Sequence, residues 1–174
     1  ERELASIRAA EAAAGAKEPA CVLVSIMHAN NEVGSVQPIA ALSALAHKYG
    51  ALMHTDAAQS AGKVDVDVRR LGVDMLSLAG HKLYGPKGIG ALFVRRGSNA
   101  LCGRRFMYGA GHEQGRRAGT ENVLCAAGLG AACLVAHTRL QEHADHMNRV
   151  RNALLAALRA AGLGPERMRV NGPL

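Results

Sequence analysis

Short apolar runs alternate with helical patterns along this chain. CVLVSIM at residues 21–27, ALMHT at 51–55, VDMLSLA at 73–79 and IGALFVR at 89–95 are apolar without strict alternation, as strands buried on both faces are. Between the first two, PIAALSALAHKYG at 38–50 opens with proline and stops at glycine, which predicts a helix. A shorter helix is expected around Val68 to Leu71, and the alanine-rich residues 1–17 predict a leading helix. Four strands separated by helices predict an α/β fold, a mainly parallel sheet flanked by helices. Residues 121–161 are helical in composition and read as two helices broken near Gly128 and Gly130. Within them Met147, Val150, Leu154, Leu158 and Ala161 recur at spacings of three and four, giving one apolar face. The tail MRVNGPL reads as the opening of another strand.

Composition narrows the function classes. With 174 residues, 49% of them hydrophobic, the chain is long and apolar enough for one domain with a sizeable core, and an ordered fold is expected. The formal charge of +7 favours anionic partners, but 3% aromatic residues and no tryptophan leave few platforms for stacking bases. A phosphorylated ligand or simple solvation therefore explains the charge before nucleic acid does. Four cysteines, Cys21, Cys102, Cys125 and Cys133, form no C-x-x-C pair and no metal-ligand spacing, so no metal is expected and a reducing compartment, cytoplasm or organelle interior, fits best. No run approaches the ~20 apolar residues of a membrane span. With neither an initiator methionine nor a signal-peptide core, the chain is expected to begin in mid-protein. Residues 97–120 turn to glycine and arginine and predict a loop too long for a mere connection.

Ligand contacts in a parallel α/β sheet gather at the carboxyl ends of strands. After the first predicted strand come Asn30, Asn31 and Glu32; the second ends in Asp56 and Gln59, the third in His81 and Lys82. All three sets should face one rim. An aspartate at one strand end and a lysine at the next suit pyridoxal phosphate. The amine condenses with the aldehyde, and the carboxylate keeps the pyridine nitrogen protonated so that the ring accepts electrons. The alternative is a structural ion pair, which is costly to desolvate. Competing motifs fail on the letters. There is no G-x-x-x-x-G-K-[ST] and no G-x-G-x-x-G after a strand, and His112-Glu113 lacks the second zincin histidine because position 116 is Arg. His143 and His146 read as a solvated helix face.

With these residues assembled, the sequence resembles the cysteine desulfurase and selenocysteine lyase family, class V of the fold-type I pyridoxal phosphate enzymes. The matching words are HANNEVGSVQPI, HTDAAQSAGK, GHKLYGPKGIGAL and GHEQGRRAGTEN, in family order. The resemblance implies pyridoxal 5'-phosphate as cofactor and Lys82 as the Schiff-base lysine that moves protons between the substrate Cα and the cofactor. Asp56 would bond the pyridine nitrogen, Gln59 and Asn31 the phenolic oxygen side, and His81 the phosphate. Thr120 would reach the phosphate of a neighbouring subunit in a homodimer. It further implies removal of sulfur or selenium from L-cysteine or L-selenocysteine to give L-alanine, a small-molecule amino-acid substrate, and a sulfur- or selenium-acceptor protein; no nucleic acid and no membrane are expected among the partners, from the composition above.

Residues 1–162 would form part of the cofactor-binding large domain, and 163–174 the start of a small C-terminal domain. Two departures stand out. Many relatives carry a phosphate-binding serine where this chain has Ala79, and Ser77, on the same strand face, lies too far back to replace it. None of the four cysteines matches the family's catalytic cysteine, which would lie downstream; Cys102, beside Arg104 and Arg105, is the only one expected to be exposed, and little around it would activate a thiol. The fragment alone is therefore expected to be inactive. Rival readings are another class V enzyme, an aminotransferase or epimerase-like relative, and a non-catalytic truncated scaffold.

Overall fold

The computed structural model describes residues 1–16, 20–97 and 105–173. A leading helix α1 (Arg2–Ala13) precedes strand β1 (Leu23–Met27), helix α2 (Ile39–Lys48), strand β2 (Leu52–Asp56), short helix α3 (Val68–Leu71) and strand β3 (Met75–Ala79). A 3-10 turn (Gly80–Leu83) then leads into strand β4 (Gly90–Val94). A single turn α4 (His112–Gly115) follows, then two long helices, α5 (Val123–Thr138) and α6 (Leu140–Ala160). The four strands form one sheet in the order β1-β2-β3-β4, parallel from β1 to β3, with β4 antiparallel to β3. The expected mainly parallel α/β sheet is the one observed.

The core lies on one face of this sheet. Helix α2 turns Ile39, Ser43 and Ala46, spaced at four and three, inward. They meet Met53, Ala57, Val73 and Leu76, all buried. The short α3 is bounded by an Asp67 carboxylate accepting from Arg69 N–H at 2.8 Å and by Gly72 at φ 70°, a left-handed position that glycine fills without strain. Asp74 is buried before β3. Its Oδ2 accepts from the Met53 backbone N–H, and His47 Nε2 lies 2.8 Å from the same oxygen, so one carboxylate ties α2, β2 and β3 together.

Two expectations are corrected. The long helical stretch does not break at Gly128 or Gly130. It breaks at Arg139, where α5 and α6 meet at 73°. Gly128 is a contact instead: a Cβ there would stand 2.6 Å from Pro86 Cγ, so the missing side chain lets α5 lie directly on the segment after the 3-10 turn. At the true break, Thr138 Oγ1 donates back to Leu134 O at 2.9 Å, and Arg139 pairs with Glu142 in the new helix. The tail also departs from expectation. Residues 168–173 form no strand, because no sheet edge pairs with them; they run without regular structure and bend at Gly172 beside the Val33 carbonyl.

Candidate functional site

The carboxyl ends of β1, β2 and β3 do share one rim. Met27, the last residue of β1, pairs with Asp56, the last of β2, and Asp56 pairs with Ser77 near the end of β3. Beyond β1 the chain makes a tight loop in which Asn30 Oδ1 accepts from Glu32 N–H at 2.9 Å and Val33 N–H at 3.0 Å. This Asx turn holds Asn31 exposed at its tip. His28 at the base is buried, with Nδ1 3.0 Å from Ser60 Oγ in the turn after β2. The first two loops are thereby fixed to each other.

Burial alone holds the His28 imidazole below its ordinary value of 6.5. Its contribution to stability is complete above that value and is lost as pH falls from it toward the depressed folded value, because the unfolded chain binds a proton that the buried ring refuses. Urea midpoints of the native protein should fall on acidification below about pH 6.5. The fall should be shallower in His28→Gln; equal pH slopes would remove His28 from the account.

Asp56 is exposed at the strand end. Its Oδ1 accepts from Ala58 N–H at 2.8 Å, while no donor among the described residues takes Oδ2. Gln59 sits in the turn that follows, half-buried, its carbonyl accepting from Lys63 Nζ at 3.1 Å. His81 and Lys82 lie exposed on the 3-10 turn. That turn is locked by glycines. Gly80 N–H donates to Ile89 O at 2.9 Å, and a Cβ on Gly80 would stand 2.8 Å from the same oxygen; one on Gly90 would stand 2.5 Å from Leu78 O. Tyr84 closes the turn at φ 62°. The letters GHKLYGPKGIG thus encode a rigid platform for two basic side chains. Small residues of α5 support it from behind, with Ala132 against Gly85 and Ala136 against Gly62.

A cavity of about 700 Å³ opens between this turn, α5 and α6. Lys63, Lys82, His143 and His146 line it, and among the described residues no carboxylate does. Burial, reinforced by the charge of Lys82, holds the Lys63 ammonium below its ordinary value. His143 and His146 are therefore cavity groups, whereas the sequence suggested only a solvated helix face; the bend at Arg139 folds α6 back to bring them there. Asp56 does not line this cavity, so the rim joins the aspartate and the lysine through their strands, while Lys82, unlike Asp56, turns to the α5–α6 side.

Thr120 is exposed after Gly119 and makes no hydrogen bond to Lys82 or Asp56. Ser77, doubtful as a phosphate ligand, is engaged elsewhere: its Oγ lies 2.8 Å from His54 Nε2. Cys102 and Arg104 lie outside the described residues. No cluster of metal-ligating side chains occurs among the described residues. His28, Ser60 and Lys63 were not singled out from the sequence. His28 also follows a strand directly, so the strand-end rule had the signal for it.

Residues 5–167 match the family described as aminotransferase class-V. Among curated proteins, the chain is 46% identical over 153 residues to "Cysteine desulfurase IscS" of Vibrio cholerae, covering 88% of this chain and 37% of the relative. It is 48% identical over 139 residues to "Cysteine desulfurase" of Gluconacetobacter diazotrophicus, covering 80% and 34%. Among solved structures, a "NifS-like protein" superposes with a TM-score of 0.75 at 39% identity, covering 82% of this chain and 39% of that one. A NifS-like protein from Rickettsia africae gives 0.76 at 30% identity, covering 88% and 42%. The chain spans little more than a third of the length of the curated relatives it matches.

Proposed function

From the premise that this chain belongs to the aminotransferase class-V family, we propose that the whole protein uses pyridoxal phosphate to remove sulfur or selenium from L-cysteine or L-selenocysteine, releasing L-alanine. The names of the relatives favour L-cysteine. The observation that carries the reading is the rim itself: Asp56, with one carboxylate oxygen tied and the other open, ends the strand beside the one that leads into Lys82 on its glycine-locked turn.

These residues suit the cofactor's chemistry. When bound, pyridoxal phosphate supplies an aldehyde and an electron-withdrawing ring. Asp56 Oδ2 is available to accept from the pyridine N–H, while the Ala58 N–H fixes the carboxylate through Oδ1. Lys82 Nζ, exposed on a rigid turn, takes the proton from the substrate Cα and returns it. In this proposal His81 and the basic lining of the neighbouring cavity favour the phosphate, and Asn31 and Gln59, in the loops after β1 and β2, serve the phenolic oxygen side as neutral hydrogen-bonding groups. Thr120, exposed on its loop, belongs in this proposal to the site of a second subunit in a homodimer. Residues 1–162 would be part of the large domain and 163–174 the start of the small one. In this proposal the sulfur-accepting thiolate is the downstream cysteine that the resemblance implies; Cys125 and Cys133 lie half-buried on α5, and Cys21 is exposed, against the expectation that Cys102 alone would be.

An alanine-release assay on the full-length protein with each amino acid tests the proposal. Alanine from L-cysteine or L-selenocysteine supports it; inertness toward both, in protein that has taken up pyridoxal phosphate, contradicts it.

A further inference from the structure

The loops after β1 and β2 are each stiff in themselves. In the first, Gln37 N–H donates to His28 O at 2.8 Å, Asn30 N–H donates to Ser35 O at 2.9 Å, and Ala29 bridges Val36. With the Asx turn at Asn30, these bonds carry Asn31 on a short hairpin whose base is His28. In the second, Ala57 N–H donates to Ser77 O at 3.0 Å, while Ser60 N–H at 3.1 Å and Ala61 N–H at 2.9 Å donate back to Ala57 O. Gln59 stands immediately before Ser60 in this turn.

What remains to be set is the placement of one stiff loop against the other. Beyond the pairing of the strands, His28 sets it twice. Its backbone N–H donates to Asp56 O at 2.8 Å, and its Nδ1 lies 3.0 Å from Ser60 Oγ. Asp56 and Gln59 are therefore bracketed between two attachments to a single residue. The side-chain attachment does not depend on the ring tautomer: Ser60 Oγ accepts from an Nδ1–H while donating to Ala57 O at 3.3 Å, or donates to a bare Nδ1. It is also dry, with His28 5% exposed and Ser60 0%, so water cannot stand in for a lost partner. Because burial holds the ring below its ordinary value, it is neutral at pH 7 and acts by hydrogen bonding rather than by charge.

We propose that His28 is a positioning residue for the cofactor site: through Ser60 it clamps the turn carrying Gln59 against the hairpin carrying Asn31, so that both address one phenolic oxygen. The inference rests on the cofactor reading above. Two groups that converge on one acceptor are sensitive to their separation, because hydrogen bonds weaken steeply with misalignment. Asp56 is fixed independently by the sheet and by Ala58 N–H. Loosening the clamp is therefore felt at the phenolic side of the ring.

The test uses the full-length protein titrated with pyridoxal phosphate, read by the absorption band of the bound cofactor at saturation, with urea unfolding measured on the same variants. His28→Leu and His28→Asn are matched in size, but asparagine keeps a donor and an acceptor near the place of Nδ1. His28→Leu and Ser60→Ala should each weaken apparent cofactor affinity about fivefold, the loss of roughly one hydrogen bond, and should move the band. His28→Asn should bring the affinity to within about twofold of the parent and restore the band. If His28→Leu does not fold, Ser60→Ala, which removes a single hydroxyl, decides alone. Variants whose band is unmoved, whatever their stability in urea, or a His28→Asn protein as impaired as His28→Leu, overturn the clamp and leave the cofactor reading standing. A parent protein that takes up no pyridoxal phosphate overturns both.

Discussion

Lys82→Ala in the full-length protein should abolish the visible band formed with pyridoxal phosphate and lower alanine release from L-cysteine by at least about a thousandfold. The size of the effect follows from two duties falling on one amine: it anchors the cofactor, and it carries the Cα proton. Lys63 shares the neighbouring cavity with Lys82, but its Nζ is directed to the Gln59 carbonyl at 3.1 Å and it stands in the turn after β2 rather than on the locked 3-10 turn. It should not take over. Circular dichroism of the variant should match the parent, because Lys82 is exposed and makes no hydrogen bond to another described residue. A variant that keeps the band and a tenth of the activity would move the chemistry to another residue.

The largest effect on stability is expected at Asp74, away from the rim. Its buried carboxylate accepts from the Met53 N–H at 2.8 Å and faces His47 Nε2 at 2.8 Å, joining α2 to the middle of the sheet. Asp74→Ala leaves the Met53 amide buried on a central strand without its acceptor and opens a small void beside it. Equilibrium urea unfolding should show a loss of about 3 kcal/mol. The partly exposed His47→Ala should cost about 1 kcal/mol, since water can replace the imidazole but cannot reach the amide. Equal costs for the two variants would mean that the Met53 bond carries little of the effect.

The strands were legible because runs such as LVSIM and MLSLA carry no polar residue beyond a serine, although the expected burial on both faces is not observed: Leu23 and Ser25 of β1 and Leu92 of β4 are exposed. Proline and glycine gave α2 its ends for equally local reasons. The break between α5 and α6 was not legible, because a glycine in a helix signals weakness only until something packs against it, and Pro86 packs against Gly128 from outside the segment. The tail misled for the opposite reason: MRVNGPL has strand composition, but composition cannot supply an edge to pair with. That Asn31, Asp56, Gln59, His81 and Lys82 follow the ends of three strands was legible locally, and register pairs the ends of those strands with one another. The His28–Ser60 contact escaped notice because its members lie 32 positions apart and meet only once β1 and β2 are paired. The histidines at 143 and 146 reach the cavity only through the bend at Arg139, which nothing local announces.

The most direct measurement is borohydride reduction of the full-length protein after incubation with pyridoxal phosphate, followed by peptide mapping. The account predicts one stoichiometric label on the peptide carrying Lys82. A label on Lys63, or spread thinly over the surface lysines with none concentrated at Lys82, would contradict it.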